Sequence, residues 1–234
     1  MITTVLFDLD GTLLPMDQDE FAGAYFKELI KKVAPLGYDP KKLVGDIWAG
    51  TAAMVMNDGS CTNEEAFWKK FVSIYGEKCL KDRPIFDEYY RNEFNNVQSS
   101  CGFNAKAAEA VRHIKESGYR AALATNPIFP GDATRNRIKW AGLNPEDFEL
   151  YTTYENMNYC KPNPKYYLDV TEKLNVKPEE CLMVGNDVTE DMVAATLGMK
   201  VFLLTDCIIN KENSDISSYP QGGFNELIKF IDSL

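Results

Sequence analysis

Histidine is nearly absent: His113 stands alone among 234 residues. A Ser-His-Asp triad would rest on that residue alone, and a multi-histidine zinc site is impossible. His113 falls inside the helical pattern Ala107 to Lys115 and reads as a structural residue on a helix face. The six cysteines (Cys61, Cys79, Cys101, Cys160, Cys181, Cys207) form no Cys-x-x-Cys pair and no disulfide-like framework. Most of them read as small buried residues of a reduced protein, and Cys160, next to Lys161, reads as packing. Positive charge is also scarce, with 25 Lys and Arg against 35 Asp and Glu and a net charge of −10. That balance argues against a broad nucleic-acid interface, whereas a small anionic substrate needs only local positive charge. No apolar run approaches membrane-spanning length. Met1 leads almost directly into the first strand, with no basic and then apolar signal segment. Together these absences predict a cytoplasmic protein with neither nucleic acid nor membrane as partner. Oligomeric state cannot be read from the sequence.

What is present centres on Asp8-Leu9-Asp10-Gly11-Thr12, which ends the apolar run Val5-Leu6-Phe7. Side chains alternate along a strand, so Asp8 and Asp10 point the same way. Two carboxylates side by side suit a cation or a reaction. Gly11-Thr12 lets the chain turn sharply and is expected to free backbone N–H groups for an anion. The alternative is a plain turn, because Asp-Gly is a common turn pair.

Elsewhere the pattern alternates between strand and helix. Strands are predicted over residues 3–8, 120–125, 150–153, 182–185 and 200–204. Helices are predicted over 104–117, 132–141, 164–174, 190–197 and 222–234. This order implies βαβ units and a doubly wound parallel sheet of the α/β class, a Rossmann-like core whose ligands sit at the carboxyl ends of its strands. Residues 16–100 interrupt that rhythm with an almost wholly helical stretch, over 19–34, 41–57, 62–75 and 85–96. Thr62-Asn63-Glu64-Glu65 has the form of a capping box. The stretch reads as an inserted all-helical cap on an α/β core made of residues 1–15 and 101–234. Pro15-Met16 and Ser99-Ser100-Cys101-Gly102 look like hinges.

Three more polar groups follow strands. Thr125-Asn126-Pro127 offers a hydroxyl and an amide for phosphate oxygens, although a turn explains it equally well. Tyr159-Cys160-Lys161-Pro162-Asn163-Pro164 places Lys161 in a proline-stiffened loop, either as a counter-charge for phosphate or as a solvated surface lysine. Gly185-Asn186-Asp187-Val188-Thr189-Glu190-Asp191 adds acids after the next strand, where a helix cap is the alternative. Jointly, four strand ends each supply one part of a single phosphoryl-transfer site.

In these motifs, their order and their spacing, the whole chain resembles the haloacid dehalogenase-like hydrolase superfamily. Asp8-x-Asp10-Gly11-Thr12 matches its first motif, Thr125 the second, Lys161 the third and Asn186-Asp187 to Asp191 the fourth. The helical insertion resembles the α-helical cap of phosphoglycolate-phosphatase-like members. The resemblance implies a phosphatase acting on a small phosphorylated metabolite. Asp8 would be the nucleophile that forms an aspartyl phosphate, and Asp10 the general acid and base. Thr125, the Asn126 N–H and Lys161 would hold the phosphoryl group. Mg²⁺ would bind Asp8, the Asp10 carbonyl and a fourth-motif side chain, with Gly11, Thr12 and Asp191 in support.

Asp10 separates phosphatases from dehalogenases and phosphonate-cleaving members, which lack it. A phosphomutase keeps it and is the runner-up. A phospho-accepting regulatory module, from a different class, would need neither Asp10 nor a cap. The fourth motif departs from the usual Gly-Asp pattern, because Asn186 follows Gly185. Strand register favours Asn186 as metal ligand, whereas the stronger carboxylate and its spacing to Asp191 favour Asp187, the preferred choice. Cap aromatics such as Tyr25, Phe26, Phe67, Trp68, Phe71, Tyr89 and Tyr90 are expected to be mostly cap core. Trp48 is singled out as a pocket wall.

Overall fold

Strand β1 (Thr4–Phe7) lies between β2 (Arg120–Leu123) and β3 (Cys181–Gly185), and β4 (Lys200–Leu204) adds to β3. The computed structural model describes all residues 1–234. Every pairing is parallel, and a two-residue β5 (Gln221–Gly222) completes the order β2-β1-β3-β4-β5. Strands buried on both faces need apolar side chains at every position, and β1 and β3 are buried throughout.

Alternate residues feed two separate cores. Val5, Phe7, Leu182, Val184 and Phe202 pack with α5 (Ala105–Glu116) and α8 (Phe224–Asp232). Leu6, Ala122, Met183, Val201 and Leu203 pack with Tyr166, Tyr167, Val170 and Leu174 of α7 (Pro164–Leu174). The sheet is therefore doubly wound, and the strand ends that carry the polar motifs open along one edge.

The stretch after β1 is helical, as expected: α1 (Gln18–Val33), α2 (Pro40–Val55), α3 (Asn63–Tyr75) and α4 (Arg83–Arg91). The Asp17 carboxylate caps α1 by accepting the Asp19 and Glu20 N–H groups, and Thr62 and Glu65 form a reciprocal capping box on α3. These helices share one apolar cluster with the sheet. Phe94 stacks on Trp140 of α6 (Gly131–Trp140) at 5.0 Å between ring centroids, which fastens the insertion to the core. The chain leaves and re-enters the core side by side, where the Gly102 N–H donates to the Pro15 carbonyl at 2.7 Å.

Three expected elements differ. Residues 150–153 make only an isolated bridge, Tyr151 to Leu123. Asn156 explains why the strand stops there, since its side chain accepts the Thr153 N–H and donates to the Tyr151 carbonyl. The helix expected over 85–96 ends at Arg91 and continues as a 3-10 segment over Glu93–Ser100. The helix expected over 190–197 is a short 3-10 turn, Met192–Leu197. His113 lies on α5, with Nε2 2.7 Å from Asp232 of α8. No helix is long and apolar enough to cross a membrane, and all six cysteines are free thiols.

Candidate active site

The turn after β1 sets the geometry. Gly11 takes a left-handed φ of 86°, and a side chain there would run into the Asn186 amide. One expectation is corrected here: the Gly11 and Thr12 N–H groups are not free, because they donate to Leu14 and Leu9 carbonyls at 2.8 and 3.1 Å. The N–H groups of Leu9 and Asp10, which directly follow Asp8, make no hydrogen bond within the protein. The amide donors open to an anion thus lie two residues earlier than expected.

Asp8 is buried and held from both sides. Lys161 Nζ donates to its Oδ1 at 2.9 Å. Thr12 Oγ1 lies 3.1 Å from Asp8 Oδ2 and 2.9 Å from Asn186 Oδ1, within reach to give its one proton to either. Lys161 also donates to Asp191 Oδ1 at 2.6 Å, and Asp191 Oδ2 accepts the Asp187 N–H at 2.9 Å. A side chain at Gly185 would collide with the Asp191 carboxylate, so glycine is what lets the acid reach β3. Lys161 is 1% exposed, which excludes the reading as a solvated surface lysine. Burial opposes its charge, but the Asp191 and Asp8 carboxylates outweigh that and raise its pKa.

Asp10 faces a different environment. Its Oδ2 pairs with Arg137 of α6, whose side chain is wholly buried and stands 4.5 Å over the Phe129 ring. Asp10 Oδ1 is buried without a partner. Burial raises the Asp10 pKa, against the pull of Arg137, and Asp8 raises it further. Arg137 donates to Oδ2, so Oδ1 is the atom left to carry a proton.

Thr125 and Asn126 end the β2 side of the same opening. Thr152 Oγ1 and the Tyr166 hydroxyl fix the Thr125 carbonyl at 2.6 and 2.8 Å. The Asn126 N–H has no protein partner, and its Nδ2 donates to Glu190 Oε2 at 3.0 Å. Glu190 is held in a dry position that pushes its carboxyl up to about 7.

No three carboxylate, imidazole or thiol side chains converge into a ready cation nest. The donor set is mixed and made only of hard oxygens, the kind Mg²⁺ takes. It comprises the Asp8 carboxylate, the Asp10 carbonyl, which accepts no N–H, and Asn186 Oδ1. Asp187 uses Oδ1 to accept the Thr189 and Glu190 N–H groups at 2.8 and 2.9 Å, leaving Oδ2 uncommitted. In donor chemistry these residues suit a hard divalent cation.

Asp8, Asp10, Thr125, Asn126, Asn186, Asp187, Glu190 and Asp191 border one cavity of about 390 Å³ that runs beneath the helical insertion, whereas Thr12, Arg137 and Lys161 stand behind its lining. Residues 2–197 match the haloacid dehalogenase-like hydrolase family. The chain belongs to that family. It is 25% identical over 186 residues to the pyrophosphatase PpaX of Bacillus cereus, covering 80% of this chain and 75% of that protein. The fold superposes on a HAD phosphatase from Thermococcus onnurineus (TM-score 0.60, 20% identity, 98% of each chain). It also superposes on β-phosphoglucomutase from Clostridium difficile (TM-score 0.61, 16% identity, 100% of this chain and 96% of that one).

For this haloacid dehalogenase-like hydrolase the four motifs meet as the family resemblance implied, but two participants were not singled out. Arg137 sits among Arg135 and Lys139 on α6, a run that looks like a solvated helix face. Glu190 lies inside the fourth-motif acid run, and only the return of β2 beside it gives it a partner, Asn126.

Proposed function

We propose that this hydrolase is a Mg²⁺-dependent phosphatase that cleaves a small phosphate monoester through an aspartyl phosphate on Asp8. The observation that carries this reading is the pair of unlike carboxylates two residues apart. Asp8 is clamped by Lys161 and Thr12, whereas Asp10 is buried, raised in pKa and left with a free Oδ1. Different environments suit different roles, nucleophile for the first and proton carrier for the second. An Asp8 oxygen attacks phosphorus, the ester P–O bond breaks, and Asp10 gives its proton to the departing alkoxide. Asp10, now a carboxylate, takes a proton from the water that hydrolyses the phosphoryl-aspartate. Thr125 and the N–H groups of Leu9, Asp10 and Asn126 hold the phosphoryl oxygens, and Lys161 balances the charge on Asp8.

Asp8, the Asp10 carbonyl, and Asn186 or Asp187 would hold Mg²⁺, which when bound offsets the charge between an anionic nucleophile and an anionic substrate. Residues 16–100 serve as the cap over a core of 1–15 and 101–234, hinged where Pro15 meets Gly102. The site takes a small phosphorylated metabolite of the cytoplasm, and the acidic surface disfavours nucleic acid.

The direct test is phosphate release from a panel of small monoesters. Turnover is expected with Mg²⁺ and is expected to vanish in excess chelator; undiminished activity there would refute the metal requirement. The ligand choice is read by titrating Mg²⁺. Asp187→Ala is expected to raise the concentration for half-maximal activity far more than Asn186→Ala, and the reverse ranking identifies Asn186 as the direct ligand. Thermal melts accompany both variants, because Asp187 also caps the Thr189–Glu190 turn.

A further inference from the structure

The cavity changes character abruptly away from the phosphate end. Seventeen of its 30 lining residues are hydrophobic, and the wall under the insertion is aromatic, with Tyr25, Phe26, Trp48, Phe67, Trp68 and Phe86. Most polar tips on that wall are spent within it, although Trp68 Nε1 is buried without a partner. The Tyr25 and Tyr90 hydroxyls bond each other at 2.6 Å, and Thr51 Oγ1 donates to the Ile47 carbonyl of its own helix. Trp48 nevertheless keeps 52% of its surface open, with its ring 5.7 Å from that of Phe26.

Charge points the same way. Among the lining residues Asp8, Asp10, Asp87, Asp187, Glu190 and Asp191 are acids, and the sole cation is Lys211, which is exposed. Lys161 and Arg137 are consumed by Asp8, Asp191 and Asp10. A substrate with a second anionic group would bring it against these acids, with only the exposed Lys211 to receive it. A polyhydroxylated one would lose several hydrogen bonds to water, with the buried Trp68 Nε1 left on that wall as a replacement donor.

From this wall we infer that the alcohol released is uncharged and largely apolar, of arylalkyl or short alkyl type, and is neither a sugar nor a second phosphate. The inference rests on the phosphatase reading above and specifies the substrate of that site. The volume, near the lower end of the roughly 300–1,000 Å³ typical of ligand sites, fits one such group and its phosphate.

The test compares 2-phenylethyl phosphate, ethyl phosphate, glycerol phosphate and pyrophosphate. The first two release simple primary alcohols of similar acidity, so their ratio reports the pocket rather than leaving-group chemistry. The kcat/KM for 2-phenylethyl phosphate is expected to exceed that for ethyl phosphate at least tenfold, mostly through KM, with pyrophosphate the poorest substrate. Trp48→Ala is expected to collapse that ratio and Trp48→Phe to retain it. Phosphatase activity with no preference, or with preference for glycerol phosphate or pyrophosphate, would overturn the substrate class and leave the phosphatase reading standing. Turnover of none of the four, nor of any ester in the wider panel, would overturn the phosphatase reading instead. The pocket is then judged by titrating tryptophan emission with 2-phenylethylphosphonate against ethylphosphonate: tighter saturable quenching by the former upholds it, and equal or absent quenching overturns it.

Discussion

Asp8→Asn is expected to reduce phosphate release by more than about 1,000-fold while leaving the fold intact, since an amide cannot replace a carboxylate nucleophile. The fold should survive because Lys161 keeps Asp191 as a partner at 2.6 Å. The buried cation is therefore not orphaned, unlike the two carboxylates that loss of Lys161 would strand. Asp10→Asn is expected to cost less, on the order of 100-fold, the typical worth of general acid–base help. Aspartyl phosphate should also persist longer on that variant, detectable as acid-stable, hydroxylamine-sensitive phosphate on the chain. Persistent turnover by Asp8→Asn would remove the covalent mechanism. Normal turnover by Asp10→Asn would reduce Asp10 to a turn residue.

The contrast between these carboxylates was legible in the sequence only as a spacing. Period-two alternation predicts that Asp8 and Asp10 share a direction, and the continuous apolar runs at 5–7, 121–124, 181–185 and 201–204 are what a sheet buried on both sides demands. Propensity carries no information about which cation crosses from another element. Arg137 is distant from Asp10 in the chain, and α6 reads as polar until Phe129 and the helical insertion cover it. The destination of the Gly11 and Thr12 N–H groups was hidden for the same kind of reason, because Leu14 folds back on Leu9, the Leu14 carbonyl taking the Gly11 N–H and the Leu9 carbonyl that of Thr12. The strand expected at 150–153 failed where the local hydrogen bonds of Asn156 outcompeted a sheet ladder. The crossing points at Pro15 and Gly102, where the chain leaves and re-enters the core, could be read from composition. The aromatic fastening of Phe94 on Trp140 could not, since it depends on two segments meeting.

Arg137→Met is expected to move the pH dependence of both activity and stability, and the signs follow from the Asp10 environment. Burial already raises the Asp10 pKa and Arg137 opposes the rise, so removing the guanidinium lifts it further. Asp10 must be a carboxylate to take a proton from water in the second half of the proposed cycle. The acid limb of the pH–rate profile should therefore shift upward, with turnover near neutrality down roughly 10- to 100-fold and partly recovered at higher pH. Arg137→Lys keeps a cation but loses the planar fork and its seat on Phe129, so it should restore the position of the limb better than the rate. For stability, a carboxyl whose folded pKa lies above its unfolded value favours the fold while protonated and loses that contribution as pH rises through the folded pKa. The variant should thus melt near the parent in acid. It should fall progressively below it towards neutral and alkaline pH, approaching the roughly 3–5 kcal/mol lost when one partner of a buried pair is removed. A destabilisation that is uniform across pH, with an unmoved acid limb, would make Arg137 a packing residue and leave the tuning of Asp10 to burial and Asp8 alone.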